Sequence, residues 1–456
     1  MKQDIFGQQV TLETDPGLRD WNATQLAFLA HSAQTADLLA AVLRAEPGFA
    51  LGLAVKGLFC LLQGRCELNV TAAEALRAAR AAAAQGDITP RESRYLAALA
   101  AWLVGKPTLA VAEMEAVLAR NPGDTMAMKL SHAIRFVLGD AAGMRRSVEA
   151  LLPAYALDHP GRGYLLGCHA FALEETGDYE RAEIAGRQAL WQAPDDAWGL
   201  HAVAHVHEMT GRARQGLAWL TGREEAWSHC NNFRYHVWWH KALMHLDQGE
   251  IDAVFDLYDQ EIRKDHTDDY RDISNGASLL MRLELEGLDV GGRWDEMAQI
   301  AARRTKDGSL IFADLHYLLA LTHGDEKTTA HDLIRRIARD AQSSQTDSAE
   351  RMAAPGLDAA EGLLAFSETR HGDAFRHLCR ARATMQLAGG SHAQRDVFER
   401  ITIDAGIRAG CFDQAEQLLA ERQGQRAGTE DAYAAARRAL IAAGREPDHA
   451  LRVPVR

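Results

Sequence analysis

The sequence predicts an all-α fold built as a curved stack of helical hairpins, and three observations carry that expectation. Good helix formers (Ala, Leu, Arg, Glu, Gln) dominate the chain. Apolar residues recur at helical spacing almost throughout. Glycines followed by a polar residue return at long, nearly regular intervals, as in a repeat. Alternating Val/Ile/Thr runs are missing, and the turn dipeptide Asn-Gly occurs only at Asn275–Gly276.

The glycines place the elements. They are Gly105, Gly139, Gly177, Gly211, Gly249, Gly292, Gly324, Gly372 and Gly410, with Gly64 an earlier candidate. Successive intervals from Gly105 are 34, 38, 34, 38, 43, 32, 48 and 38 residues. A helix commonly ends on one residue in the left-handed region, where glycine is free of strain; a second helix starting at once then makes a hairpin. The clearest copy is "GYLLGCHAFALEETGDYERAEIAGRQALWQAP", Gly163 to Pro194. Around its Gly177, the small residues Ala170, Ala182 and Ala189 allow close helix approach, and Pro194 ends the second helix. The best repeats run from about residue 90 to 260, and about ten hairpins are expected in one continuous domain over residues 1–456. The two longest intervals are read as loop insertions at 263–276 and 340–358, and the tail from about Arg445 as loosely packed.

Composition excludes several function classes. Hydrophobic residues make up 47% and charged residues 25% of 456, with a formal net charge of −13. An acidic excess without basic runs opposes binding to nucleic acid or to an anionic membrane. The opening "MKQDIFGQQVTLETDPG" lacks the apolar segment of a signal peptide, and no long apolar run could span a membrane, so a cytoplasmic protein is expected. Six scattered cysteines without a CxxC pair read as reduced thiols. No phosphate-binding GxxxxGK[ST], no GxGxxG after a strand and no GxSxG elbow occur, so no organic cofactor is expected.

The stretch around Gly177 resembles the tetratricopeptide repeat, whose period is 34. "HAFALEETGDYERAE", "WGLHAVAHVHEMTGR", "YHVWWHKALMHLDQG", "DLYDQEI", "GLDVGGRW" and "GGSHAQRDVF" together resemble the tetratricopeptide repeat protein 38 family, over about residues 90 to 425. The resemblance implies an all-helical superhelix, free to curl into a near-closed ring. It also implies that one face of each first helix lines a concave inner wall, and it implies no reaction.

Stepping back 13, 10, 6 and 3 residues from a turn glycine keeps to one helix face. From Gly211 this selects Trp198, His201, His205 and Glu208; from Gly249, His236 and Trp239; from Gly177, Glu174. From Gly292 it selects Arg282, Glu286 and Asp289, and from Gly324, Asp314. Seven residues before the glycine stands alanine in many copies (Ala98, Ala170, Ala204, Ala242, Ala365), which marks the packing face. The inner-wall set, joined by His240, mixes aromatic and polar groups as ligand pockets do. His207, His245 and Trp238 fall where helices pack and are read as structural. His392 and Arg395, behind the N-cap candidate Ser391 and two glycines, form a helix start that could hold an anion. Glu286 and Asp289 beside Arg282 read as an ion-pair lattice.

Two functions follow. The first is a binding module that receives a peptide, partner protein or small molecule in the concave pocket. The alternative is a small-molecule enzyme in which His201, His205, His236 and Glu208 do acid–base or metal-assisted work. His201 and His205, four apart with Glu208 beyond, could hold a divalent metal, but the metalloprotease HExxH is absent and no metal is favoured. Exposed end hairpins leave homo-oligomers open.

Overall fold

The computed structural model describes residues 1–446 except 325 and 344; the expected loose tail lies mostly outside the described residues. The all-α expectation holds: eleven consecutive antiparallel helix pairs and a closing helix, Ala432–Arg445, make up the described chain. The sole exceptions among described residues are a two-stranded N-terminal ribbon, Lys2–Gln3 with Gln9–Val10, and an isolated bridge between Ser32 and Cys230.

Most turn glycines do what their position demands. Gly64, Gly105, Gly139, Gly177, Gly211, Gly249 and Gly410 have φ between 63° and 80°. Three do not. Gly292 (φ −76°) caps the start of Arg293–Arg304, and the preceding turn is made by Gly287 and Gly291 instead. Gly324 is extended (φ −89°, ψ −176°). Gly372 lies inside the helix His371–Arg382, and Thr369 takes the left-handed position at φ 60°. All five packing-face alanines are buried, and no substituent larger than a methyl would leave the helices so close.

The second expected insertion is mostly helical and the first is half helical. Within 263–276 only 263–269 is loop; the helix Tyr270–Leu285 has begun by Asn275–Gly276, where a Cβ on Gly276 would already stand 3.1 Å from Arg263 and Met297. Within 340–358 the helix Lys327–Gln342 runs on, and turns at Asp347–Arg351 and Met352–Gly356 lead into Leu357–Ser367.

The stack curls until early and late repeats touch. Asn231 N donates to His31 O (2.8 Å). Arg304 pairs with Glu67 (2.9 Å), and Asp347 N donates to Gly105 O (2.8 Å). Two large hydrophobic clusters result, one from Val10 to Met244 and one from Trp239 to Ile441. They meet on the helix Phe233–Asp247, which gives Val237 and Met244 to the first and Trp239, Ala242 and Leu243 to the second.

Candidate functional site: a four-histidine cluster beside an aromatic cavity

Two neighbouring first helices build the centre. Ala197–Met209 starts at Asp196, whose carboxylate accepts from Gly199 N (3.1 Å). Its close approach to Arg162–Glu174 depends on paired glycines: a Cβ on Gly199 would sit 3.2 Å from Gly167 Cα. Phe233–Asp247 packs on its other side. Each helix carries two histidines one turn apart, so four imidazoles face one another across the crossing.

Their Nε2 atoms converge. His205 Nε2 lies 2.8 Å from His201 Nε2, which lies 3.1 Å from His236 Nε2, which lies 3.2 Å from His240 Nε2. One ligand atom from each of the four falls within 4.8 Å of every other. All four side chains are buried.

Two of the four far nitrogens are hydrogen-bonded. His240 Nδ1 meets Glu208 Oε2 at 2.9 Å, and His236 Nδ1 meets Asn275 Oδ1 at 2.8 Å. His205 Nδ1 stands 3.4 Å from Glu174 Oε2, too long and poorly aimed for a full hydrogen bond. His201 Nδ1 is buried without a partner. Glu174 in turn receives His392 Nε2 at 2.5 Å. The Asn275 and Glu208 acceptors place the protons of His236 and His240 on Nδ1 and leave lone pairs on their inward Nε2 atoms.

Burial keeps three of the rings, His201, His236 and His240, neutral. Burial pushes His201 and His240 well below the ordinary histidine range and His236 down to about 3; the neighbouring imidazoles add to it for His201 and His240. Burial opposes the charge on Glu174, yet His392 and His205 hold its carboxyl down at about 2. Burial also opposes charge on His392, but Glu174 and Glu175 outweigh it and raise that ring to about 9.

The inner-wall selection is largely brought together. Trp198, His201 and His236 line a cavity of about 370 Å³, with Phe28, Phe59, Phe136, Phe233 and Phe312. Trp239 is fully buried behind His236, stacked at 5.1 Å, and Arg282 lies over its other side while donating to Ala393 O (2.7 Å). Glu208 faces away from the Nε2 cluster, backing His240 and bordering a second cavity of about 360 Å³. It is therefore not placed beside His201 and His205 as a third ligand; His236 and His240 hold those places.

Two expectations are corrected. Asp314 does not join the site: it pairs with Arg336 (2.5 Å) of the following helix, because Gly324 is not the turn that the step assumed. The helix start at His392 and Arg395 already holds an anion, the protein's own Glu175, which accepts from His392 N at 2.8 Å and lies 3.5 Å from Arg395. Ser391 caps that helix with Gln394 in a reciprocal box. Glu286 pairs with Arg437 (2.9 Å), not with Arg282, so the expected lattice forms across elements. His207 packs against Gly216 of its paired helix and Trp238 against Trp227. His229, unplaced from sequence, meets Ala30 O at 3.1 Å. Asn275, Lys129, His132 and His31 were missed as site residues. The last three line the cavity: Lys129 stands ten residues before Gly139, where the same step would have selected it, His132 lies on the same helix, and His31 sits in a turn outside the repeat pattern.

No family model matches the chain. The solved human IFIT1 dimer with PPP-AAAA is similar over 95% of this chain and 96% of its own, at 13% identity and a TM-score of 0.39. The human IFIT1 dimer with m7Gppp-AAAA is similar over 96% and 95%, at 12% identity and a TM-score of 0.40. Likeness at that level carries no argument about a ligand.

Proposed function

We propose that the chain is a metal-dependent small-molecule protein, in which His201, His205, His236 and His240 hold one divalent first-row ion at the wall of the aromatic cavity. The convergence of four Nε2 atoms carries this reading. Neutral lone pairs aimed at one point repel one another, and a buried unsatisfied polar atom costs about 1–3 kcal/mol; a cation at that point removes the conflict. Imidazole suits zinc, iron, nickel and copper. Bonds of about 2.1 Å set ligand nitrogens about 3.4 Å apart in a tetrahedron and about 3.0 Å apart when cis in an octahedron, close to the 2.8, 3.1 and 3.2 Å between successive Nε2 atoms. Carboxylate or amide partners on the far nitrogens are the usual support of metal-bound histidine.

A site that bound an ion only for stability would need no cavity beside it. Here His201 and His236 border both the cluster and the cavity. Four neutral ligands leave the ion's double charge intact, so it could polarise an oxygen of a bound molecule or acidify a water. The cavity's size suits a small molecule rather than a peptide helix. That favours the enzyme reading over the partner-binding one. The resemblance to the tetratricopeptide repeat protein 38 family is compatible with it and adds no reaction. Six free thiols fit a reducing compartment such as the cytoplasm, and no described helix is long and apolar enough to cross a membrane.

The test is elemental analysis of tag-free protein. About one ion per chain is expected, with loss of that ion in His201→Ala and in His240→Ala. Metal-free protein that gains no thermal stability from added zinc, iron(II), nickel or manganese would sink the proposal.

A further inference from the structure

The cavity carries a second chemical signature, at the end away from His240. Lys129 is buried at 3% exposure, yet no carboxylate of the described residues lies within 4 Å of it. Its one polar contact is Cys168 Sγ at 3.9 Å, and its Nζ lies 5.0 Å from the Trp198 ring centre. The other charged lining residues, Asp269 and Arg271, neutralise each other through a two-pronged pair (2.8 and 2.6 Å). Lys129 is therefore the lining cation that no described carboxylate meets in an ion pair, although the buried Asp196 is close enough to feel its charge.

Neutral polar atoms gather round it. Both ring nitrogens of His132 and Nε1 of Trp198 are buried with no partner, as is Nε2 of His31. His132 and His31 both pack on Trp198, at 5.8 and 5.4 Å between ring centres. A buried cation and several idle donors cost stability in an empty chamber, and such groups are normally satisfied. The rest of the lining is mostly apolar, with Phe28, Phe59 and Phe312 among it, and carries the neutral polar side chains of Gln63, Asn231 and Gln394. At about 30 Å³ per water-sized group, 370 Å³ holds about a dozen non-hydrogen atoms.

We propose that the cavity binds an amphipathic monocarboxylate, its carboxylate on Lys129 with Trp198 Nε1 and His132 as further partners, and its apolar body among Phe28, Phe59 and Phe312. Asp196, buried nearby, supports a singly charged head over a doubly charged one. The inference rests on the metal-site reading only in calling this molecule a substrate; the binding stands on the cavity alone.

Titration calorimetry of the full chain with 4-phenylbutanoate, which has about a dozen non-hydrogen atoms, tests it. Comparison ligands are 4-phenylbutan-1-ol, 4-phenylbutylamine and 4-phenylbutyl phosphate. The acid should bind best of the four, and Lys129→Met should weaken it roughly 10- to 100-fold while metal content stays unchanged. If Lys129→Met does not fold, Trp198→Phe keeps a ring, removes one donor and should weaken the acid severalfold more than the alcohol. Equal affinity for acid and alcohol, tighter binding of the phosphate, or undiminished binding by these variants overturns the proposal. Carboxylate binding by protein that never takes up metal would sink the metal reading alone. Metal uptake without carboxylate binding would sink this one alone.

Discussion

At the scale of single residues, the centre depends on groups one step behind the imidazoles. Glu208 and Asn275 fix which nitrogen of His240 and His236 carries the proton. Glu208→Gln keeps the shape but replaces a charged acceptor, and Asn275→Ala removes one. Each should weaken metal affinity roughly 10- to 100-fold without unfolding the chain, as measured by competition with a chromogenic chelator. Ionisation gives a second prediction, for metal-free protein. Burial holds His132 well below its unfolded value of about 6.5, so its contribution is complete above that pH and is lost as pH falls below it. His392 behaves oppositely: burial disfavours its charge, but Glu174 and Glu175 raise it to about 9, so its contribution is complete below about 6.5 and lost as pH rises through about 9. The two limbs meet near neutrality, and thermal midpoints should peak close to pH 6.5. His392→Gln should flatten the alkaline limb and leave the acid limb in place. Helical periodicity made His201, His205 and His236 legible, because each shares a face with its own turn glycine. Lys129 was legible in principle, since it stands ten residues before the turn glycine Gly139 on the same helix-face step; Asn275 and His31 were not, since they reach the site by curvature that no local spacing encodes.

At the scale of elements, identical glycine turns are unequal. Gly410 has φ 73° and open space where a Cβ would go, whereas a Cβ on Gly139, at φ 71°, would stand 1.8 Å from the carbonyl oxygen of Gln386. Gly410→Ala should cost only the left-handed backbone penalty, about 1–2 kcal/mol. Gly139→Ala should cost clearly more, because the 385–389 backbone must move as well, and the thermal midpoints of the two variants will show it. The repeat itself was readable because a turn needs φ above zero and glycine supplies it. The helical half of 263–276 and most of 340–358 were read as loop for the opposite reason: their charges looked solvated. Asp272 is instead buried and accepts from Asn232 (2.6 Å), and Asp347 accepts from Thr108 N (2.8 Å) at the start of the helix Pro107–Leu118. Polar residues satisfied by distant repeats are indistinguishable, in one dimension, from polar residues satisfied by water.

At the scale of the whole molecule, curling sets repeats about 200 to 240 residues apart against one another, as in Asn231 with His31, Arg304 with Glu67 and Asp347 with Gly105. Asp347→Ala should remove the borrowed cap on Pro107–Leu118, at about 1 kcal/mol. It should speed amide exchange near 106–110 and 346–350 while leaving metal content unchanged. A larger consequence comes from the helix Phe233–Asp247, which belongs to both apolar clusters. His201 and His205 hang from the first, and His236 and His240 hang from the element the two share. An ion gripped by all four would therefore act as a rivet through the hinge line. Calorimetry should record a single sharp melting event when the rivet is in, and two overlapping events, one per half, once a chelator has drawn it out.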